Sequence, residues 1–262
     1  MCRRHGFSLV ELSIVLVILG LLTGGILGGQ SLIRAAELRS IASDLFRYGT
    51  AVNSFRDKYF SFPGDMNNAT KFWGAASSCP GSSASTGTLT CDGDGNGLLT
   101  PHTATYGNEY FRFWQHMANA GLIEGNYSGV AGGSGAYPEQ LPIIGTNVPR
   151  GRISSTGYSV FYALAVTADG QLFFKQPSGN IVFFGSLLGN STAGDAIAPE
   201  EAWNIDTKLD DALPASGVVT TPTSSNSNGG TDCATTNVAS TAAYDLSKTT
   251  KSCSLQFWAF GR

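Results

Sequence analysis

The chain has 262 residues, of which 42% are hydrophobic, 13% are charged and 33 are glycine, which suits one globular domain with an appended segment. Lys+Arg number 16 against 19 Asp+Glu, and no basic cluster exists beyond Arg3-Arg4, so the electrostatic footprint of a nucleic-acid binder is missing.

The first signal in chain order is a short basic stub, Met1 to Gly6, running into Phe7-Ser-Leu-Val-Glu11-Leu. From Leu12 to Ile33 no residue is charged. As a helix rising roughly 1.5 Å per residue this stretch measures about 33 Å, enough to cross a bilayer. Arg3 and Arg4 hold the short end in the cytoplasm by the positive-inside rule, which puts everything from about Arg34 onward outside. The pattern differs from an ordinary secretory signal, whose apolar region is shorter and ends in a small-residue cut site. Glu11 is the anomaly, because a carboxylate at mid-membrane depth costs roughly 2.5–3.5 kcal/mol and asks for a cationic partner.

Arg4-His-Gly6-Phe7-Ser-Leu-Val-Glu11-Leu resembles the prepilin cleavage and methylation motif of type IV pilins and type II secretion pseudopilins. The resemblance implies a cut between Gly6 and Phe7 by a prepilin peptidase and N-methyltransferase, with residues 1–6 as leader. It also implies that the freed amine of Phe7 pairs with Glu11 of a neighbouring copy. At ~4 Å and an effective dielectric near 20, such a pair is worth on the order of 4 kcal/mol before desolvation is counted. Many pilus subunits carry a helix-kinking proline in the span where this chain has Gly28-Gly29. Gly20, Gly24, Gly25, Gly28 and Gly29 either loosen the helix or let neighbouring helices pack closely, and both readings stay open.

Beyond the span, Leu38, Ile41, Leu45, Tyr48, Val52, Phe55 and Tyr59 recur at three- and four-residue steps with charges between them, which predicts an amphipathic continuation. The expected domains are therefore a leader over 1–6, one helix over 7–60 with 7–33 membrane-spanning, and a head over 61–262. Phe62-Pro-Gly-Asp65 ends the helix. In the head, Glu109 to Ala120 reads as a helix stopped by Gly121. Ser159 to Val166, Gln171 to Gln176 and Ile181 to Gly185 read as strands parted by Asp169-Gly170 and Pro177-Ser-Gly-Asn180. Glu200 to Ile205 reads as a short helix opened by Pro199. Leu213 to Asn237 reads as an exposed loop, and Ser254 to Phe260 as a closing strand. The fold class expected is α+β and pilin-like: a long N-terminal helix packed on an antiparallel-sheet head. Tyr59–Asp65, Trp114–Ile123 and Ala202–Asp211 are similar to stretches of prepilin-like proteins of uncharacterised role.

Cys79 with Cys91 and Cys233 with Cys253 form two sequence-local couples, and an even four remain if Cys2 leaves with the leader that the resemblance implies. Four cysteines allow three connectivities; the local one closes two loops worth roughly 3 kcal/mol each, in an oxidising compartment.

Asp92-Gly-Asp94-Gly-Asn96-Gly97 has the alternating oxygens and turn glycine of a calcium loop. The glutamate that closes an EF-hand is replaced by Thr103. Glu109 is the nearest acid, so the expected calcium set is Asp92, Asp94, Asn96, the backbone oxygen of Leu98, and Glu109. A polar turn beside Cys91 is the competing reading. Asp206, Asp210 and Asp211 form a second acidic group, either a cation site or a solvated face. His5, His102 and His116 lack metal-ligand spacing, and no catalytic constellation appears, so no enzyme is expected.

These observations point to a structural subunit of a type IV pilus-like filament, of which a minor or adhesive subunit is one form. Its partners would be copies of itself or related pilins, the prepilin peptidase, and the inner membrane before assembly, with the head periplasmic. A type II secretion pseudopilin is the alternative within the class. A membrane-anchored, calcium-dependent binding protein that never polymerises is the alternative outside it.

Overall fold

The structure is a computed structural model describing residues 8–77, 79, 87–100, 108–132, 141–163, 174, 178–222 and 233–258. Its first helix, α1 (Leu9–Tyr59), passes through all five span glycines without interruption. The chain divides into two units, Met1–Ser40 and Ile41–Arg262.

In the first unit the apolar side chains of α1 stay exposed: Leu9 is 87% exposed, Leu21 74% and Leu32 73%. An all-round apolar helix surface of this kind needs a partner, and a helix of this length and composition meets the requirement for crossing a membrane.

In the second unit the same helix shows a single buried stripe, Ile41, Leu45, Tyr48, Val52 and Phe55. Each large apolar side chain buried there contributes roughly 1.5–3 kcal/mol before entropy is counted. The helix ends where Phe60 turns to φ +54°, with Pro63 and Gly64 following. The chain then doubles back under α3 (Glu109–Asn119). Gly64, at φ +88°, lies so close to α3 that an added Cβ would meet the Glu109 carbonyl at 2.5 Å. Between them a one-turn helix, α2 (Thr70–Trp73), is capped by Asp92, whose carboxylate accepts from the Thr70 amide (2.8 Å) and hydroxyl (3.0 Å).

Every residue of α3 from Glu109 to Met117 is buried. Trp114 meets Tyr48 of α1 edge-on with ring centroids 5.0 Å apart, and Tyr110 stacks on Phe161 at 4.8 Å. The sheet on which this rests is antiparallel, with β1 (Thr156–Ala163), β2 (Gly179–Leu188), β5 (Leu255–Phe257) and β4 (Val219–Thr220) in that order. A fifth strand, β3 (Ser191–Gly194), pairs with β2 off this path. Register is set by Tyr158↔Phe184 and Val160↔Val182 between β1 and β2, and by Val182↔Phe257 between β2 and β5. From β1, Tyr158 hydrogen-bonds Asp44 of α1 at 3.1 Å, pinning sheet to helix within the unit. Helix α4 (Pro199–Leu209) connects β3 to β4; Pro199 occupies its first turn and Glu201 accepts the Ala198 amide at 3.0 Å.

The α+β class and the long helix on an antiparallel-sheet head are as the sequence indicates. Among the described residues the sheet has five strands: β1, β2 and β5 fall on expected strands, while β3 (Ser-Thr-Ala-Gly) and β4 (Val-Thr) were not expected, being too short and too polar to show a hydrophobic pattern. The stretch expected as an exposed loop from Leu213 contains β4, whose Thr220 hydroxyl accepts from Trp258 Nε1 at 2.9 Å. Strand β1 starts three residues earlier than expected, and α4 runs four residues further than the short helix expected there. The strand expected over Gln171 to Gln176 lies outside the described residues, apart from the buried Phe174.

Candidate functional site

Gly6 and Phe7 lie outside the described residues, and the description begins at Ser8. Ser8 and Glu11 form a reciprocal cap at the start of α1. The Glu11 carboxylate accepts the Ser8 amide at 2.8 Å, and the Ser8 hydroxyl accepts the Val10 amide at 3.3 Å. This is the Ser-x-x-Glu box that satisfies otherwise orphaned amides at a helix start, with the acid at the positive end of the dipole. Among the described residues Glu11 therefore holds one hydrogen bond within its own chain and stays exposed among exposed Leu9, Val10 and Leu12.

The acidic loop is organised by a residue the sequence pattern did not single out. Asp65, just past the end of α1, is 2% exposed and reaches under the loop. Its Oδ1 accepts the amides of Gly95 (2.7 Å) and Asn96 (3.1 Å), and its Oδ2 accepts the amide of Gly97 (2.8 Å). Gly93 makes this approach possible, since an added Cβ would lie 2.5 Å from the Asp65 backbone. Glu109, fully buried at the start of α3, accepts the Asp94 amide (3.1 Å) and both the amide (2.8 Å) and hydroxyl (2.7 Å) of Thr100. Asp65, Asp94 and Glu109 each bring a carboxylate oxygen within 4.8 Å of the others. Asp92 is occupied at Thr70, Asn96 hydrogen-bonds Asp94 (2.7 Å), and the Asn96 side-chain oxygen accepts the Leu98 amide (2.7 Å). Of the five expected calcium residues the fold thus gathers Asp94 and Glu109, and adds Asp65.

Burial pushes the Asp65 carboxyl up to about 7; the Gly97 amide opposes this, and a shared hydrogen with Asp94 and the charge of Glu109 reinforce it. Burial also raises Glu109. Such a cluster holds either an extra proton or a cation. By the count of carboxylate acceptor sites, Asp65 and Glu109 each keep one after their three hydrogen bonds. That leaves an incomplete shell for calcium, to be finished by Asp94 and water. The loop borders a cleft of about 1080 Å³ lined also by Asn53, Arg56 and Phe60, which supplies an entry path.

The second acidic group is only partly a solvated face, with Asp211 exposed, Asp210 half-buried and Asp206 inside. Asp206 is fully buried, accepts the Tyr244 hydroxyl at 2.8 Å, and is pushed up to about 7 chiefly by burial. Asp210 accepts the amides of Val218 and Val219, and Asp211 accepts the Leu213 amide at 2.9 Å, so the group knots the chain leaving α4. His116 is likewise internal. Its Nδ1 accepts the Gly64 amide (3.0 Å), so the proton is on Nε2, facing Thr90 at 2.9 Å. Burial, with Arg112 nearby, pulls it down to about 3 and keeps it neutral. Disulfides join Cys79 to Cys91 and Cys233 to Cys253, the local connectivity of the three allowed.

Residues 1–27 match the protein family described as Prokaryotic N-terminal methylation motif. No curated protein and no solved structure matches the chain significantly. The N-terminus thus carries the type IV pilin and pseudopilin signature, on a helix with the apolar length of a membrane anchor. That signature supports a pilin- or pseudopilin-like precursor, a structural subunit processed by a prepilin peptidase and assembled with other pilins.

Proposed function

We propose that the chain is a structural subunit of a type IV pilus-like filament. Before assembly the first half of α1 anchors it in the inner membrane with the head in the periplasm. A prepilin peptidase frees Phe7, and copies then stack through α1 into a periplasmic or surface filament. The observation that carries this reading is the placing of Glu11. It is the one acid in the apolar first half of α1, it lies inside the matched motif, and it stands five positions beyond the Gly6 cut site. In a single copy the carboxylate caps the start of α1 through the Ser8 amide, and in a polymer it can in addition pair with the amine of the next copy, which an anchor that only tethers a domain does not offer. Replacing Glu11 with alanine should leave membrane insertion intact and abolish filaments in sheared surface fractions. Normal filament yield from that variant would leave only a tethered domain.

Calcium is the proposed occupant of the Asp65, Asp94 and Glu109 cluster. It is supported by two buried carboxyls whose charge burial disfavours, by their residual acceptor sites, and by the adjoining cleft. Calcium should raise the melting temperature of the full chain in detergent and fail to do so after Asp65→Asn. Equal shifts in both proteins would remove the cluster as the binding site.

A further inference from the structure

Filament assembly gives no reason for an arginine inside the head, yet Arg112 is 1% exposed on α3. Its Nη2 stands 3.2 Å from the Sγ of Cys91, and its Nη1 donates to Gln115 Oε1 at 2.7 Å. Burial pulls the guanidinium down to about 10, which leaves it charged at neutral pH. A guanidinium gains little from the sulfur of an intact disulfide. It gains a charge pair from a thiolate, and a stabilised thiolate is the better leaving group in thiol–disulfide exchange. The two residues of this bridge also differ in exposure, since Cys79 is exposed and Cys91 is 1% exposed. In the other bridge both partners are buried, Cys233 at 3% and Cys253 at 1%.

We propose that Cys79–Cys91 is a directional thiol-exchange site for small thiols outside the cytoplasm, with Cys79 the sulfur attacked and Cys91 the sulfur released. An external thiolate attacks Cys79 Sγ and forms a mixed disulfide. The Cys79–Cys91 bond breaks, and its electron pair leaves on Cys91 as a thiolate held by Arg112. A second external thiolate then attacks its own sulfur in the mixed disulfide, releasing the Cys79 thiolate and the oxidised small disulfide, so two thiols supply the two electrons. Run backwards, the same geometry forms the bridge. Arg112 acts on Cys91 and is a positioning and charge-stabilising residue. The neutral His116 nearby supplies no charge. The exchange bears on the acidic loop, because Cys91 immediately precedes Asp92 and its neighbour Thr90 bridges Ala75.

The test uses the full chain with Cys2→Ser in detergent micelles, exposed to reduced glutathione, quenched in acid, alkylated with N-ethylmaleimide and mapped by mass spectrometry. Glutathione is expected on Cys79 and N-ethylmaleimide on Cys91, with Cys233–Cys253 intact. Arg112→Lys should keep this pattern, and Arg112→Gln should slow exchange about tenfold. Where Arg112→Gln fails to fold, thiolate absorbance at 240 nm in a Cys79→Ser variant reads the Cys91 thiol directly, and it should titrate below the usual value of about 8.5. Glutathione on Cys91, equal reduction of both bridges, no adduct, or a Cys91 thiol titrating at or above the usual value would each overturn the proposal.

Discussion

The acidic loop makes the stability of the head depend on pH in a direction opposite to that of most paired carboxylates. Asp65 has its carboxyl raised from 3.8 to about 7. The folded state therefore binds a proton that the unfolded chain releases between these values. The stability this contributes is complete below about pH 4 and is lost as pH rises towards 7. A three-unit shift has a ceiling of about 4 kcal/mol; solvent reaching the loop through the cleft reduces this to on the order of 1–2 kcal/mol. Asparagine mimics the protonated acid, so Asp65→Asn should flatten this slope. The assay is urea unfolding of the full chain in micelles with EDTA at pH 5 and pH 8, followed by the fluorescence of the fully buried Trp114. The parent should lose more stability than Asp65→Asn between these pH values, and calcium at pH 8 should restore the loss. Identical slopes in the two proteins would refute the argument, as would a parent more stable at pH 8 than its variant without calcium.

Three further outcomes follow from the packing. Gly64→Ala places a Cβ against the Glu109 carbonyl at a positive φ; it should cost upwards of 2 kcal/mol and lower the melting temperature by several degrees in thermal scans. Tyr158→Phe removes the hydroxyl bonded to Asp44 and should cost about 0.5–1.5 kcal/mol in urea titrations without changing the near-ultraviolet circular dichroism. Cys233→Ser with Cys253→Ser opens the loop that holds Tyr244 on Asp206 and should cost about 3 kcal/mol by the same titration.

How much was legible in the sequence depended on whether the signal was local. The span, the amphipathic continuation and α3 announce themselves through periodicity, and α4 through Pro199. The Ser8-x-x-Glu11 cap is also written locally, and it is compatible with the pairing proposed between copies because a carboxylate accepts more than one hydrogen bond. Asp65 was beyond such reasoning, because its amide partners lie thirty residues on and meet it only when the chain doubles back at Gly64 and Gly93. A separation of 22 residues hid the diversion of Asp92 to Thr70, which follows from the capping need of a four-residue helix with no sequence pattern of its own. Arg112 has no signal of its own in the sequence, and its burial follows from α3 being enclosed from Glu109 to Met117.

On the proposed function this chain is cut before its apolar helix and keeps that helix for assembly. Mass spectrometry of the N-terminal peptide from sheared surface material tests it most directly. The expected product begins at Phe7 and carries a methylated amine. A chain still beginning at Met1, or one cut beyond residue 25, would contradict it.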